Sequence, residues 1–267
     1  MSALHFRTFD PKSGPVEQRC LIVHGIMGSS QNWLGATRRL RRLFPQWSFK
    51  LVDLPGHGDS SASVSEPDLP TIARTIHNDL EQVDWTPTVL VGHSFGGKTV
   101  LELSKTYHES PLSIWLLDAP IGADVTVTGS DTIRSILDVV DDIPKPTSRE
   151  VVLTHFLEAG LPGSIGQWMT TNVRRLTDGF EWKISPNFVR SALVDYLERD
   201  YWSAVEEPNS AHRFYLVLAG RSDWWRGGIE RRLRKLSQVQ LFPLARSGHW
   251  VHIDDLEGLV NCFQRVY

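Results

Sequence analysis

The chain lacks the features that mark secreted, membrane-spanning or nucleic-acid-binding proteins. It has only two cysteines in 267 residues, Cys20 and Cys262, and two thiols near opposite ends of a chain do not make a disulfide framework. No apolar run is long enough to cross a bilayer, and the formal net charge of -3 gives no reason to expect nucleic acid or an anionic membrane as a partner. We therefore expect no membrane insertion and a reducing compartment: the cytoplasm, or an organelle if a transit peptide has been removed.

What the chain does contain suits a large α/β domain. Hydrophobic residues make up 41% and charged residues 22%, which excludes a disordered chain and allows a sizeable core. Short apolar runs at 20–24, 47–52, 88–92 and 113–117 alternate with segments of helical periodicity, and a weaker run at 4–9 precedes them. This alternation predicts a mostly parallel sheet covered by helices on both faces.

The alternation stops in the middle of the chain. Residues 121–212 carry several amphipathic helical patterns and no convincing buried strand, and apolar runs return at 213–218 and 239–244. This pattern indicates an α/β core made of residues 1–120 and 213–267, with a helical cap at 121–212 inserted between two of its strands.

One short motif joins a predicted strand to a predicted helix, since residues 92–96 read GHSFG. This is the G-x-S-x-G pattern of a nucleophile elbow, which exposes Ser94 on a strained turn at the start of a helix. Residues 92–99 also satisfy the phosphate-loop pattern G-x-x-x-x-G-K-S/T. A phosphate loop usually follows the first strand, however, whereas several strand and helix units precede this one.

Groups with catalytic chemistry follow the carboxyl ends of the predicted strands, where functional groups of an open parallel sheet gather. They are the loop 24–26, Ser94, Asp118, Asp223 and His249. A serine hydroxyl needs an imidazole to take its proton and a carboxylate to orient that imidazole. The chain order of serine, acid and histidine therefore predicts a serine hydrolase that is acylated on Ser94, with His249 as base.

Three further motifs surround these groups: HGIMGSS at 24–30, GHGDS at 56–60 and SGHW at 247–250. Together with the elbow, they resemble the α/β-hydrolase superfamily along nearly the whole chain, and most of all the small esterases related to the abhydrolase-domain-eleven protein. The resemblance implies an eight-stranded, mostly parallel sheet and a helical cap inserted after the sixth strand. It also implies hydrolysis of carboxylic esters or thioesters with short acyl groups, without a cofactor.

The resemblance leaves two candidates for the acid that orients His249. In most of the superfamily the acid follows the seventh strand in a G-x-x-D-like turn, and Asp223 stands at the end of such a turn. In some abhydrolase-domain-eleven relatives the candidate acid follows the sixth strand, and Asp118 occupies that place. We favour Asp223 and keep Asp118 as the alternative, because only one carboxylate is needed to orient one imidazole.

Backbone amides of two loops are expected to form an oxyanion hole. Ile26 follows the first motif loop and Phe95 directly follows the nucleophile, and Met27 is the alternative for the first donor. Tryptophans of the insertion and of the catalytic edge are expected to line an apolar acyl pocket, namely Trp168, Trp182, Trp224, Trp225 and Trp250. No metal site is expected, because the chain has neither an H-E-x-x-H motif nor a carboxylate-rich cluster.

Two other classes of function stay open on the sequence. The same fold hosts non-catalytic receptors for small molecules that keep much of the triad. The phosphate-loop pattern, in contrast, predicts a nucleotide-binding protein. Under the hydrolase interpretation the partner is a small acyl ester or thioester.

Overall fold

The computed structural model describes residues 4–60, 66–123, 128–207, 211–222, 225 and 228–267. Within these ranges the strands are β1 (Phe6–Phe9), β2 (Gln18–Val23), β3 (Trp47–Val52), β4 (Val89–His93), β5 (Ser113–Leu117), β6 (Val173–Leu176), β7 (Gly179–Trp182), β8 (Arg213–Ala219) and β9 (Val239–Leu244). The α-helices are α1 (Leu34–Leu43), α2 (Leu69–Glu81), α3 (Phe95–Ser104), α4 (Thr128–Asp142), α5 (Arg149–Glu158), α6 (Gly163–Thr170), α7 (Pro186–Glu198), α8 (Trp202–Glu206), α9 (Ile229–Leu233), α10 (Val251–Asp254) and α11 (Leu256–Gln264).

The central sheet has seven strands in the described ranges, in the order β1-β3-β2-β4-β5-β8-β9. Strand β1 is antiparallel to β3, and the other pairs are parallel. The prediction of a mostly parallel sheet is confirmed, but the expected number of eight strands is not. The segment 10–17 between β1 and β2 contains Pro11 and Pro15 and adds no strand to this sheet, and β1 lies at its edge. The insertion therefore follows the fifth strand.

Alternate residues of the buried strands pack into two separate cores, one on each face of the sheet. In β5, Ile114 and Leu116 belong to the core that includes residues of α2 and α3. Trp115 and Leu117 point the other way, into the core that includes residues of α1 and α11. Burial on both faces explains why the strands read as continuous apolar runs rather than as alternating ones.

The insertion between β5 and β8 contains helices α4 to α8 and the antiparallel hairpin of β6 and β7. The hairpin differs from the all-helical prediction. Its strands are only four residues long, and in β6 only Val173 is buried, so no buried run signals them. Side chains of the insertion form a third core, which also receives Met27 from the loop after β2.

Several hydrogen bonds join the insertion to loops at the carboxyl ends of β2 and β3. Asn172 Nδ2 donates to the Met27 carbonyl at 2.9 Å, and the Ser185 amide donates to the Gly56 carbonyl at 2.8 Å. These contacts place the insertion at the edge of the sheet where the predicted catalytic groups lie. Among the described residues, no helix has both the length and the apolar character that a membrane span requires.

Candidate active site

Ser94 sits on a sharp turn between β4 and α3. Its backbone has φ 52° and ψ -117°, a conformation that a non-glycine residue adopts only under strain and that is typical of functional sites. The Ser94 amide donates to the Leu117 carbonyl at 3.1 Å, which ties the turn to β5. The geometry is that of a nucleophile elbow.

The glycines around Ser94 are required by close backbone packing. A Cβ on Gly92 would lie 2.2 Å from the Gly96 carbonyl oxygen, and one on Gly96 would lie 2.4 Å from the Val23 carbonyl oxygen. Neither position has room for a side chain, because backbone atoms are not free to give way. The motif at 92–96 therefore lets α3 start directly against β2 and β4.

Lys98 resembles the lysine of a phosphate loop in sequence, but its environment is different. The side chain is fully buried, and its Nζ donates to the carbonyls of Tyr196 at 2.6 Å and Arg199 at 2.7 Å. Burial lowers the pKa of the amine to about 8, and the charges of Asp200 and Asp195 oppose this shift. The lysine thus holds the end of α7, and its donors are not directed at a phosphate site.

His249 and Asp118 are directly paired. His249 Nδ1 donates to Asp118 Oδ2 at 2.7 Å. Asp118 is completely buried, and its Oδ1 accepts hydrogen bonds from the indole N–H of Trp225 at 2.7 Å and from the amide of Ala219 at 3.3 Å. Three donors therefore satisfy this carboxylate, as the hydrogen bonding of a buried polar group requires.

The preferred acid, Asp223, lies outside the described residues, as does Trp224 of the expected acyl pocket. The preference for Asp223 therefore stays a prediction. The observed hydrogen bond to His249 favours Asp118 instead, and Asp118 has the positive φ of 43° that a tight turn after β5 imposes.

Two further histidines hold this region without taking the place of the base. Burial lowers the pKa of His93 well below its usual value, helped by the charges of His249 and His252, so the neutral ring donates from Nε2 to the His249 carbonyl at 2.7 Å. His252 stacks on Trp33 with ring centroids 4.2 Å apart. The His249 side chain is 34% exposed, so this imidazole remains open to a bound molecule.

Contacts of the loop after β2 distinguish between Ile26 and Met27, the two candidates for the first oxyanion donor. The Met27 amide donates to His57 Nε2 at 3.0 Å. Burial lowers the pKa of His57 to about 3, and its Nδ1–H donates to the Pro55 carbonyl at 2.8 Å, so Nε2 is a permanent acceptor. The Met27 amide is thus already engaged, which favours Ile26 over Met27 as the first donor.

Ile26 and Phe95 stay the candidates for the two oxyanion donors. Among the described residues, no acceptor takes a hydrogen bond from the Ile26 amide. Phe95 is the first residue of α3, where a helix leaves its N–H groups unpaired. A Cβ on Gly25 would lie 3.3 Å from the Ser94 Cβ, so the Ile26 loop lies directly beside the nucleophile.

Tyr196 is a residue of the site that the sequence pattern does not identify. It belongs to the apolar stripe of α7, and its ring packs 5.3 Å from the Phe95 ring. Its buried hydroxyl makes no hydrogen bond of ordinary geometry. Burial raises the pKa of this hydroxyl, and contact with the Ser94 side chain opposes the rise. A protonated hydroxyl from the insertion thus lies beside the nucleophile.

The tryptophans expected to line the acyl pocket have separate roles. Trp168 and Trp250 lie together, with ring centroids 5.6 Å apart, and Trp250 is next to the base. Trp182 donates its indole N–H to the Ile143 carbonyl at 2.9 Å within the insertion. Trp225 binds the acid, as described above. Trp168 and Trp250 therefore stay the candidates, among the described tryptophans of the set, for contact with an acyl group.

One group of residues has the composition of a metal site. His5, Asp53 and Asp59 bring one ligand atom each within 4.8 Å of one another. The Asp53 oxygens, however, accept hydrogen bonds from the amides of Ser30 at 2.5 Å and Asp59 at 2.9 Å. Asp53 thereby ties the loop after β2 to the loop after β3, and its contacts are those of a structural carboxylate.

Comparison with known proteins agrees with this geometry. Residues 20–261 match the family described as "Alpha/beta hydrolase family", and the chain belongs to that family. It is 25% identical over 254 residues to mouse "sn-1-specific diacylglycerol lipase ABHD11", covering 90% of this chain and 78% of that protein. It is 24% identical over 255 residues to "Esterase YbfF" of Escherichia coli K12, covering 92% and 91%. A solved "Marine microorganism esterase" has the same fold, with TM-score 0.85, 19% identity and full coverage of both chains.

Proposed function

We propose that the chain hydrolyses carboxylic esters or thioesters through an acyl-enzyme on Ser94. The observation that carries the proposal is the hydrogen bond of 2.7 Å from His249 Nδ1 to the buried Asp118. With the Nδ1 proton on that hydrogen bond, Nε2 is the unprotonated ring nitrogen that can take a proton in the reaction. Relatives named as lipase and esterase support the ester as the bond that is cleaved.

In the proposed reaction, the Ser94 oxygen attacks the acyl carbon while His249 Nε2 takes the hydroxyl proton. The alcohol or thiol leaves with that proton, and the acyl group remains on Ser94. Water then attacks the same carbon and gives a proton to His249. His249 passes this proton to the Ser94 oxygen as the bond between that oxygen and the acyl carbon breaks, which releases the carboxylic acid and restores the free enzyme. The amides of Ile26 and Phe95 stabilise the oxyanion formed in each half of the reaction.

The substrate expected from the pocket carries a short acyl group. Ser94 is buried, and the paired rings of Trp168 and Trp250 lie beside the base. In a series of p-nitrophenyl esters from acetate to dodecanoate, we expect kcat/KM to be highest among the short chains. A maximum at dodecanoate would contradict the short acyl pocket and leave the ester chemistry intact.

Tyr196 supplies a third hydrogen-bond donor to the reacting oxygen in this proposal. A buried hydroxyl without an acceptor is destabilising by about 1–3 kcal/mol. An oxygen of the bound acyl group would complete its hydrogen bonding. The hydroxyl thus lacks a well-formed hydrogen bond in the free protein and gains one during the reaction, which is the differential interaction that catalysis needs.

Tyr196→Phe is expected to lower kcat by about 100-fold, the lower end of the loss caused by removing one oxyanion donor. The thermal midpoint of unfolding should stay unchanged or rise, because the removed hydroxyl has no hydrogen bond of ordinary geometry in the free protein. Tyr201→Phe is the matched control, since its buried hydroxyl also lacks such a hydrogen bond but lies beside Glu102. Equal kcat in wild type and Tyr196→Phe would exclude this donor.

A further inference from the structure

A cavity of about 320 Å³ lies between the insertion and the start of the helical segment before α1. Its lining is rich in cationic side chains. The residues around it are Gln31, Arg149, Thr170, Thr171, Val173, Arg174, Arg175 and Lys183. The volume is within the range of small-ligand sites. The hydrolase chemistry described above does not use this cavity.

The positive charge around the cavity exceeds the negative charge. Asp59 is shared by Lys183 at 3.0 Å and Arg174 at 3.8 Å, and Arg174 also pairs with Glu181. Two acidic groups thus face these two cations. Arg149 and Arg175 add two more positive charges. Arg149 interacts electrostatically with its exposed neighbour Glu150, whereas Arg175 forms no ion pair among the described residues. A local excess of cations in a chain of net charge -3 favours an anionic ligand.

The cavity shares a wall with the catalytic edge. Asn172 stands between two of its lining residues, Thr171 and Val173, and donates to the Met27 carbonyl at 2.9 Å. The Asn172 carbonyl accepts from the amide of Lys183, another lining residue, at 2.6 Å. One residue therefore separates the cationic cavity from the loop that carries the first oxyanion donor.

We propose that this cavity binds a phosphate group on the leaving alcohol or thiol of the substrate. The inference rests on the proposed hydrolase function and names its substrate class, an acyl group carried by a phosphorylated leaving group. Arg149 and Arg175 are the proposed donors, since a guanidinium presents a planar pair of N–H groups that matches two phosphate oxygens. Lys183 and Arg174, held by Asp59, form the wall behind them.

The test compares two thioesters with the same acetyl group, acetyl-pantetheine and its 4′-phosphate. The wild type should have kcat/KM about tenfold higher for the phosphorylated substrate, the effect of one good charge-assisted contact. Arg149→Gln with Arg175→Gln should abolish this preference through KM and leave hydrolysis of acetyl-pantetheine unchanged. Arg38→Gln with Arg42→Gln is the control, because it removes the same charge from exposed positions of α1.

A second arm uses inorganic phosphate as the probe. It should compete with the phosphorylated thioester and raise the thermal midpoint of the wild type but not of the double variant. Stabilisation by phosphate without any substrate preference would mean that the cavity takes a free anion, and would overturn the assignment to the leaving group. A preference that survives in the double variant would overturn the site itself.

The proposed hydrolase function can fail separately from this site. If neither thioester is cleaved, the proposed hydrolase function is wrong. Calorimetry of phosphate binding to Ser94→Ala then still tests the cavity. If the protein cleaves both thioesters with the same kcat/KM and does not bind phosphate, the proposed hydrolase function is supported and the proposed phosphate site is wrong.

Discussion

Ser94→Ala is expected to lower kcat by several orders of magnitude while the protein stays folded. In serine hydrolases the loss of the nucleophile alone costs about as much as the loss of the whole triad. Ser94 is buried at the start of α3 between glycines that leave no room for other side chains, and alanine fits the same space. The measurement is kcat on the best ester, alongside the circular dichroism spectrum and the thermal midpoint.

The neighbouring Ser104 offers a matched control for this substitution. It lies in the same helix, and its hydroxyl donates to the Leu101 carbonyl at 2.8 Å. Ser104→Ala should keep kcat near the wild-type value. Wild-type turnover by Ser94→Ala, in a preparation free of other esterases, would rule out Ser94 as the acylated residue.

Asp118→Asn is expected to lower kcat by about 10⁴-fold, the loss seen when a triad aspartate becomes its amide. The introduced amide fits the space of the Asp118 carboxylate, but its nitrogen, where it faces His249 Nδ1, would stabilise the wrong imidazole tautomer. KM should change little, because the side chain is fully buried and does not contact a substrate.

Asp223→Asn serves as the comparison that separates the two candidate acids. It should keep most of the wild-type kcat if Asp118 alone orients His249. A loss of about 10⁴-fold in Asp223→Asn with little change in Asp118→Asn would restore the preference drawn from the sequence. The kcat of Trp225→Phe should lie between those of Asp118→Asn and Asp223→Asn, because this substitution removes one of the donors to Asp118 and leaves the His249 hydrogen bond in place.

The sequence was enough to predict the sheet and the elbow because both depend on local patterns. A strand buried on both faces is an unbroken apolar run, and β5 reads as Ile114-Trp115-Leu116-Leu117 after its first residue. The glycines at 92 and 96 follow from backbone contacts that any such elbow must make. Family membership and the mostly parallel sheet were therefore predictable from short stretches.

Other features depend on contacts between distant segments, and no local pattern carries them. The partner of His249 is decided by which carboxylate the chain places beside Nδ1, and both Asp118 and Asp223 follow strands. The sequence alone gives no reason to exclude the Met27 amide as an oxyanion donor. His57, 30 residues away, accepts a hydrogen bond from that amide only because the fold brings the two loops together. In the sequence, Tyr196 looks like one more packing residue in the apolar stripe of α7, and nothing marks it as a residue of the site.

The hairpin of β6 and β7 escaped prediction for a different reason. Its strands are short and mostly exposed, so they lack the apolar run that reveals a buried strand. The sequence at its turn, Asp178-Gly179, is a common hairpin signal.

The most direct test of the proposed acyl-enzyme is the site of covalent labelling by a fluorophosphonate. The protein is treated with the reagent, digested and mapped by tandem mass spectrometry. We expect a single adduct on Ser94, lost in Ser94→Ala and strongly slowed in Asp118→Asn. Absence of an adduct on the folded wild type, or an adduct on another serine that survives in Ser94→Ala, would contradict the assignment of Ser94 as the nucleophile.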